Sequence, residues 1–247
     1  MEEFTKVRRK ARRKKEEYDE SSPLYYAKLL KRFNEVLGQF QDEDQLTTAI
    51  KKVNQAILSL GSDSKIHNIV CYGLGSVSNS KTSMYQFALV FKMSQSLGCP
   101  LYLYDPVFSE ADSKLFESLE CSLHLDDRGH YKIDRTTLFF LPHCPRFVYE
   151  NLLRANWGPD LSKCVIFGDD LLSIADKLPT RTLKDNLPFI HGCQPFVEVF
   201  PIENNFKFDD VFNDLAVHIF SPSKLASVDP ETWNCEEVNS VCDHDSW

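Results

Sequence analysis

Three short stretches of this 247-residue chain carry residue types at spacings that could do chemistry. The first is Tyr72-Gly73-Leu74-Gly75-Ser76-Val77-Ser78-Asn79-Ser80-Lys81. Gly73 and Gly75 stand where a dinucleotide-binding loop turns tightly and lets a phosphate approach the backbone, and Ser78 stands where the third glycine of that fingerprint would be. Asp105, closing the run LYLYD, is the acid that such folds set against a ribose hydroxyl; it lies thirty residues beyond Gly75, later than the roughly 20 of the common pattern. Two readings stay open. Gly73, Gly75, Ser76 and Asp105 could rim a pocket for S-adenosylmethionine, NAD or a related nucleotide-derived molecule. Alternatively, the glycines serve close helix–strand packing and Asp105 caps a turn.

The second stretch is Pro142-His143-Cys144-Pro145, at the end of the apolar run TTLFFL. A cysteine beside a helix start can have a depressed pKa, and an adjacent histidine can bind metal, haem iron or phosphate. Cys144-Pro145 also fits a short pattern of haem-responsive regulators, which makes haem a third candidate cofactor. A histidine at a strand end serves equally as a hydrogen-bonded structural residue. The third stretch, Gly168-Asp169-Asp170, closes the run CVIF. Two neighbouring carboxylates could hold Mg²⁺, but they are also what a helix N-cap and first turn prefer.

Chemistry at these places requires strands that end there and helices that begin there. HNIVCYG, PLYLYDP, CSLHL, TTLFFLP, CVIFGD and FVEVFP are short apolar runs rich in β-branched and aromatic residues. Amphipathic stretches at 82–97, 109–119, 145–157 and a shorter one after Asp169 separate them. Strands of this kind alternating with helices predict an α/β domain with a mostly parallel, doubly wound Rossmann-like sheet over residues 65–226. Ahead of it, Leu29, Leu30, Phe33, Val36, Leu37 and Phe40 recur at helical spacing, as do Ile50, Val53, Ile57 and Leu60. These predict a helical hairpin over 23–61. Residues 209–220 read as a last helix, 1–22 as a flexible basic start and 227–247 as a flexible acidic tail.

Hydrophobic residues make up 43% of the chain and charged ones 26%, which excludes wholesale disorder. The net charge of −8 is uneven: residues 1–15 hold eight Lys/Arg and two Glu, leaving the remainder strongly acidic. An acidic body is repelled by a phosphate backbone and does not bind nucleic acid generally. The basic run suits nuclear entry or contact with a partner, or is simply a solvated start. No apolar run reaches the roughly 18 residues of a membrane span, and no apolar segment follows the basic start as in a secretory signal. These features predict a cytoplasmic protein with a route to the nucleus and no membrane contact. The eight cysteines, at 71, 99, 121, 144, 164, 193, 235 and 242, form no C-x-x-C pair and read as reduced core residues. Cys235, Cys242 and His244 cluster, but a metal there would need a more distant ligand. No G-x-S-x-G elbow, Walker loop or H-E-x-x-H motif occurs.

Taken together, IVCYGLGS (69–76), LYLYDPVFS (101–109), FFLPHCPRFVYENLLRANW (139–157) and VIFGDDL (165–171) resemble the Sensitivity-to-Red-light-Reduced family. The P-H-C-P…Y-E-N-L-L…N-W block is the specific part, and the resemblance covers roughly residues 64–190. Where the family's fifth strand typically closes in Gly-Asn-Ser, this chain has Gly168-Asp169-Asp170. The resemblance implies a regulatory rather than enzymatic protein with protein partners. Its plant member acts in red-light signalling and clock input; other members are linked to clock-gene expression, haem biosynthesis and cytoskeletal stability. It supplies no catalytic residues. Gly73, Gly75, Ser76, Asp105, His143 and Asn156 form the candidate pocket, read from the fold onto positions within the matching motifs.

Overall fold

The computed structural model describes residues 22–40, 44–61, 64–124 and 128–233. The basic run 1–15 and the Cys235, Cys242 and His244 group therefore lie outside the described residues.

Two helices open the fold, α1 at Pro23–Gln39 and α2 at Asp44–Leu60. Ser22 starts α1 by taking the Tyr25 amide at 3.2 Å, and Pro23 sits in the first turn, where its missing N–H is not needed. There follow β1 (Asn68–Tyr72), α3 (Lys81–Leu97), β2 (Leu101–Tyr104), α4 (Glu110–Ser118) and the two-residue β3 (Ser122–Leu123). Next come β4 (Thr137–Leu141), α5 (Arg146–Ala155), β5 (Cys164–Asp169) and three short helices, α6 (Leu171–Asp176), α7 (Thr180–Asn186) and α8 (Pro188–Cys193). The chain then returns through β6 (Val197–Pro201) and β7 (Leu215–Phe220) to α9 (Pro222–Ala226).

The seven strands lie in the order β3-β2-β1-β4-β5-β7-β6. β1 to β5 run parallel, and β7 runs antiparallel between β5 and β6. This is the mostly parallel Rossmann-like sheet expected of near-continuous apolar strands. Successive side chains alternate faces. Ile69, Cys71, Leu138, Phe140 and Phe167 join one core with α1 to α4, while Val70, Tyr72, Phe139, Leu141 and Ile166 join the other with α5 to α9. The predicted helix over 209–220 is corrected. Val211 and Phe212 are buried in a loop, and Leu215–Phe220 is a strand buried along its whole length. The alternation that buries a strand on both faces produces an almost unbroken apolar run, which mimics a buried helix segment.

The first two helices share the sheet's core. α1 rests on α3 and α4, and α2 rests on β6, β7 and α3. Phe33 stacks on Phe87 with ring centroids 4.9 Å apart and meets Phe91 edge-on at 5.7 Å. On the opposite face Glu150 is fully buried, and its two oxygens accept the Phe189 and Ile190 amides at 2.9 Å each, fixing the start of α8. Burial pushes this carboxyl up to about 7, against the pull of those two amides. Part of the stretch read as a flexible tail is anchored: Trp157 donates its indole N–H to the Thr232 carbonyl at 2.9 Å, and Trp233 packs on Trp157 and Phe196. No helix among the described residues is long and apolar enough to cross a membrane.

Because Phe33 is fully buried where α1 meets α3, Phe33→Ala should cost about 3–5 kcal/mol. Urea unfolding should remain a single transition with an earlier midpoint. A loss below about 1 kcal/mol would show that α1 is not part of the common core.

Candidate functional site

The strand order reverses between β1 and β4, and there the loops leaving the carboxyl ends of β1, β2 and β4 enclose a crevice of about 540 Å³. Gly73, Gly75, Asp105 and His143 all line it, so four of the six pocket candidates come together. Gly73 has φ +67° and Gly75 φ +75°. A β-carbon at Gly73 would collide with the Cys144 sulfur, so only glycine lets the loop lie over the start of α5.

The loop is held from three directions. Asp105 accepts the Gly75 amide at 2.7 Å on one oxygen and the Val107 amide at 3.0 Å on the other. Asp112 accepts the Ser78 amide at 2.6 Å and, within the capping box of α4, the Ser109 amide at 2.9 Å. From α1, Arg32 donates to the carbonyls of Ser78 and Ser80 at 3.0 and 3.3 Å. The expected ligand-facing rim position of Asp105 is therefore corrected. The residue is only 9% exposed and its carboxylate braces the loop. Amides at Gly75 and Ser78 that could cradle a phosphate already meet carboxylates of the chain itself.

Two candidates fall elsewhere. Ser76 is absent from the crevice wall; its hydroxyl lies 3.1 Å from that of Ser78 and accepts the Asn79 side-chain amide at 3.0 Å. Asn156 follows the last turn of α5, roughly 15 Å along the helix from the crevice. Fully buried, it accepts the Ile133 amide and donates to the Tyr131 and Leu152 carbonyls, tying α5 to the segment that enters β4. Asn156 is a structural residue at the opposite edge of the sheet.

His143 stands just beyond β4 with φ +55°, a left-handed conformation seldom adopted by a residue with a β-carbon. Its Nδ1 lies 3.0 Å from Asp169 Oδ1, and its side chain is 36% exposed. The hydrogen bond with Asp169 raises the imidazole above its usual pKa, outweighing partial burial, and Asp214 adds to the rise. Tyr149, fully buried on α5, keeps the two strand ends in place: its hydroxyl donates to the Leu141 carbonyl at 2.7 Å and accepts the Asp169 amide at 2.8 Å. A β-carbon on Gly168 would sit 2.5 Å from that hydroxyl, so glycine is required there. Asp170 is the N-cap of α6. Among the described residues no group of three His, Cys, Asp or Glu could hold a metal ion; Asp169 faces His143 while Asp170 takes the first amides of α6. The reactive reading of Cys144 is also corrected. Its thiol is buried, donates to the Tyr72 carbonyl at 3.1 Å and is pushed well above its usual pKa by burial. It is not placed to ligate haem iron.

Arg32, Asp112 and Tyr149 were not identified from the sequence. Ser109-x-x-Asp112 has the spacing of a capping box and could have been found; Tyr149 stands in the Y-E-N-L-L block, which marks the position but not its partners, and Arg32 lies on an amphipathic helix with no local signal.

A family model described as the SRR1 domain matches residues 33–219, a span that takes in six strands and all but the last residue of the seventh. The chain belongs to the SRR1 domain family. Within 121 residues it is 37% identical to the Arabidopsis thaliana protein named SENSITIVITY TO RED LIGHT REDUCED 1, covering 47% of this chain and 44% of that one. It is 29% identical over 167 residues to a Mus musculus SRR1-like protein, covering 65% of each. The chain thus spans less than two thirds of the length of these relatives. A crystal structure of human N-acetylserotonin methyltransferase in complex with SAM aligns with a TM-score of 0.36 at 13% identity, covering 79% of this chain and 56% of that one.

Removing the Asp105 carboxylate leaves two inward-facing amides without partners, so Asp105→Ala should lose about 1–3 kcal/mol, with Asp105→Asn recovering part of it. Urea midpoints of the three proteins decide. An alanine variant within about 0.5 kcal/mol of the parent would show that the carboxylate does not brace the loop.

Proposed function

We propose that the chain is a regulator acting in circadian-clock input and in control of haem biosynthesis, through protein partners, in the cytoplasm and nucleus. The reading rests on the SRR1 domain match over residues 33–219 and on the red-light sensitivity in the plant relative's name. The basic run at residues 1–15 supports nuclear entry and partner contact. In cells lacking the protein, the period of a clock reporter and the level of porphyrin intermediates should both change, and the full chain should restore them. The chain without residues 1–15 should be depleted from the nucleus. Unaltered period and porphyrins in the deleted cells would overturn the reading, and unaltered localisation of the truncated chain would remove its targeting part.

The 540 Å³ crevice favours a second reading, an enzyme with a pocket for a nucleotide-derived cofactor. Gly73, Gly75 and His143 would contact that ligand, while Asp105 holds the loop that presents the two glycines. Asp105 and Asp112 occupy loop amides that a pyrophosphate would need, and their charge repels it. S-adenosylmethionine, which carries no phosphate, therefore suits the crevice better than NAD. At 100 times its Kd a ligand stabilises by about 2.7 kcal/mol, which for a chain of this length raises Tm by roughly 5–10 °C. S-adenosylmethionine should produce such a shift and NAD should not. No shift with either would leave the crevice without a cofactor role.

A further inference from the structure

His143 also borders a second and larger crevice, of about 870 Å³, between the ends of β4, β5 and β7 and the start of α6. Its volume lies within the roughly 300–1,000 Å³ of small-molecule sites. The charged groups around it are not equally committed. Asp170 accepts the Leu172 and Ser173 amides and the Ser173 hydroxyl as the cap of α6. Asp169 faces His143 Nδ1, and Asp214 accepts the Asn213 side-chain amide at 3.2 Å. The donors on the wall are less occupied. The side chains of Arg146, at the first position of α5, and Lys177, which closes α6, form no hydrogen bond or ion pair among the described residues. The Nε2 of His143 has no protein partner among them either, because Asp169 takes the other nitrogen.

From this imbalance we infer that the larger crevice binds a small organic molecule through an anionic oxygen group, a carboxylate or a phosphate, held by His143 Nε2, Arg146 and Lys177. Arginine's planar fork suits two oxygens of one such group, and the lysine adds a point charge. The strained backbone of His143 fits this role, since left-handed non-glycine residues concentrate at ligand clamps. The imidazole is hydrogen-bonded to Asp169 from β5 and feels Asp214 ahead of β7; the other charged groups on its two crevices are Arg146, Asp170 and Lys177 on the larger and Asp105 on the smaller. Asp169 favours the protonated ring, which with Arg146 and Lys177 balances the carboxylates of Asp169, Asp170 and Asp214 around the crevice; above the pH at which His143 titrates that balance turns negative. Anion affinity should fall as pH rises through that titration. The inference stands apart from the cofactor reading, because Arg146 and Lys177 line only the larger crevice.

The test is an NMR titration of the His143 ring in the full chain with malonate, with inorganic phosphate and with chloride at matched ionic strength. Saturable shifts with malonate alone identify a carboxylate ligand, and with phosphate alone a phosphate ligand. Arg146→Gln and Lys177→Gln should each weaken binding about tenfold, while Thr82→Val, on the wall of the smaller crevice, should leave it unchanged. Chloride reproducing the shifts, no saturation with either probe, or unchanged affinity in Arg146→Gln would each overturn the inference. The S-adenosylmethionine experiment can succeed or fail without altering these outcomes.

Discussion

Burying β1, β4 and β5 on both faces is the constraint from which the rest follows. A strand packed between two helix layers has no solvent along its length, so its polar backbone must be satisfied within the sheet. At the carboxyl edge the ladder stops and the chain turns, and other partners have to be found. Here the protein supplies them from distant side chains. Asp105 and Asp112 take loop amides, Arg32 takes loop carbonyls, and the Tyr149 hydroxyl bridges the last carbonyl of β4 to the amide of Asp169. Each contact ties one element to another. The edge where ligands would bind is therefore built by α1, α4 and α5 as much as by the strands.

This mode of satisfaction has an electrostatic consequence. A glycine loop before a helix attracts anions when its amides are open. In this chain two carboxylates lie among those amides, so the loop presents negative charge where its glycines alone would suggest a phosphate cradle. The second crevice differs: its three carboxylates are engaged within the protein, while the Arg146 and Lys177 side chains have no protein partner among the described residues. His143 stands between the two, and its protonation sets which character that boundary has.

Much of the fold was legible because buried parallel strands are written as short apolar runs. All six runs read as strands became strands, and Gly73 and Gly75 took the positive φ values that a tight turn demands. Position 209–220 was misread because LAVHIF carries a histidine in an apolar stretch, which resembles one polar position on a buried helix. In the structure His218 is fully buried in β7, with Nδ1 3.2 Å from the Ile166 carbonyl and Nε2 accepting the Leu171 amide. That pairing depends on residues some fifty positions away, and no local pattern encodes it. The backbone partners of Asp105 and Asn156 were hidden for the same reason. Their residue types announce a polar function, but whether the partner is a ligand or a distant backbone amide is decided only when the chain closes.

The His143–Asp169 pair shows how such distant closure can turn a structural requirement into a chemical feature. A left-handed backbone at a residue with a β-carbon costs on the order of 1–3 kcal/mol, and it persists only where its surroundings impose it. Pro142 on one side and the buried Cys144, whose thiol is held by Tyr72, on the other leave the chain little freedom at position 143. Tyr149 then fixes the end of β5 against the end of β4, which puts the Asp169 carboxylate within 3.0 Å of the ring. With asparagine at 169 the contact would lack its formal charge and the ring would gain no proton affinity from it. The aspartate raises the imidazole's affinity for a proton. The scaffold supplies the geometry and one carboxylate oxygen supplies the proton chemistry, so a change at position 169 can retune the site without refolding it.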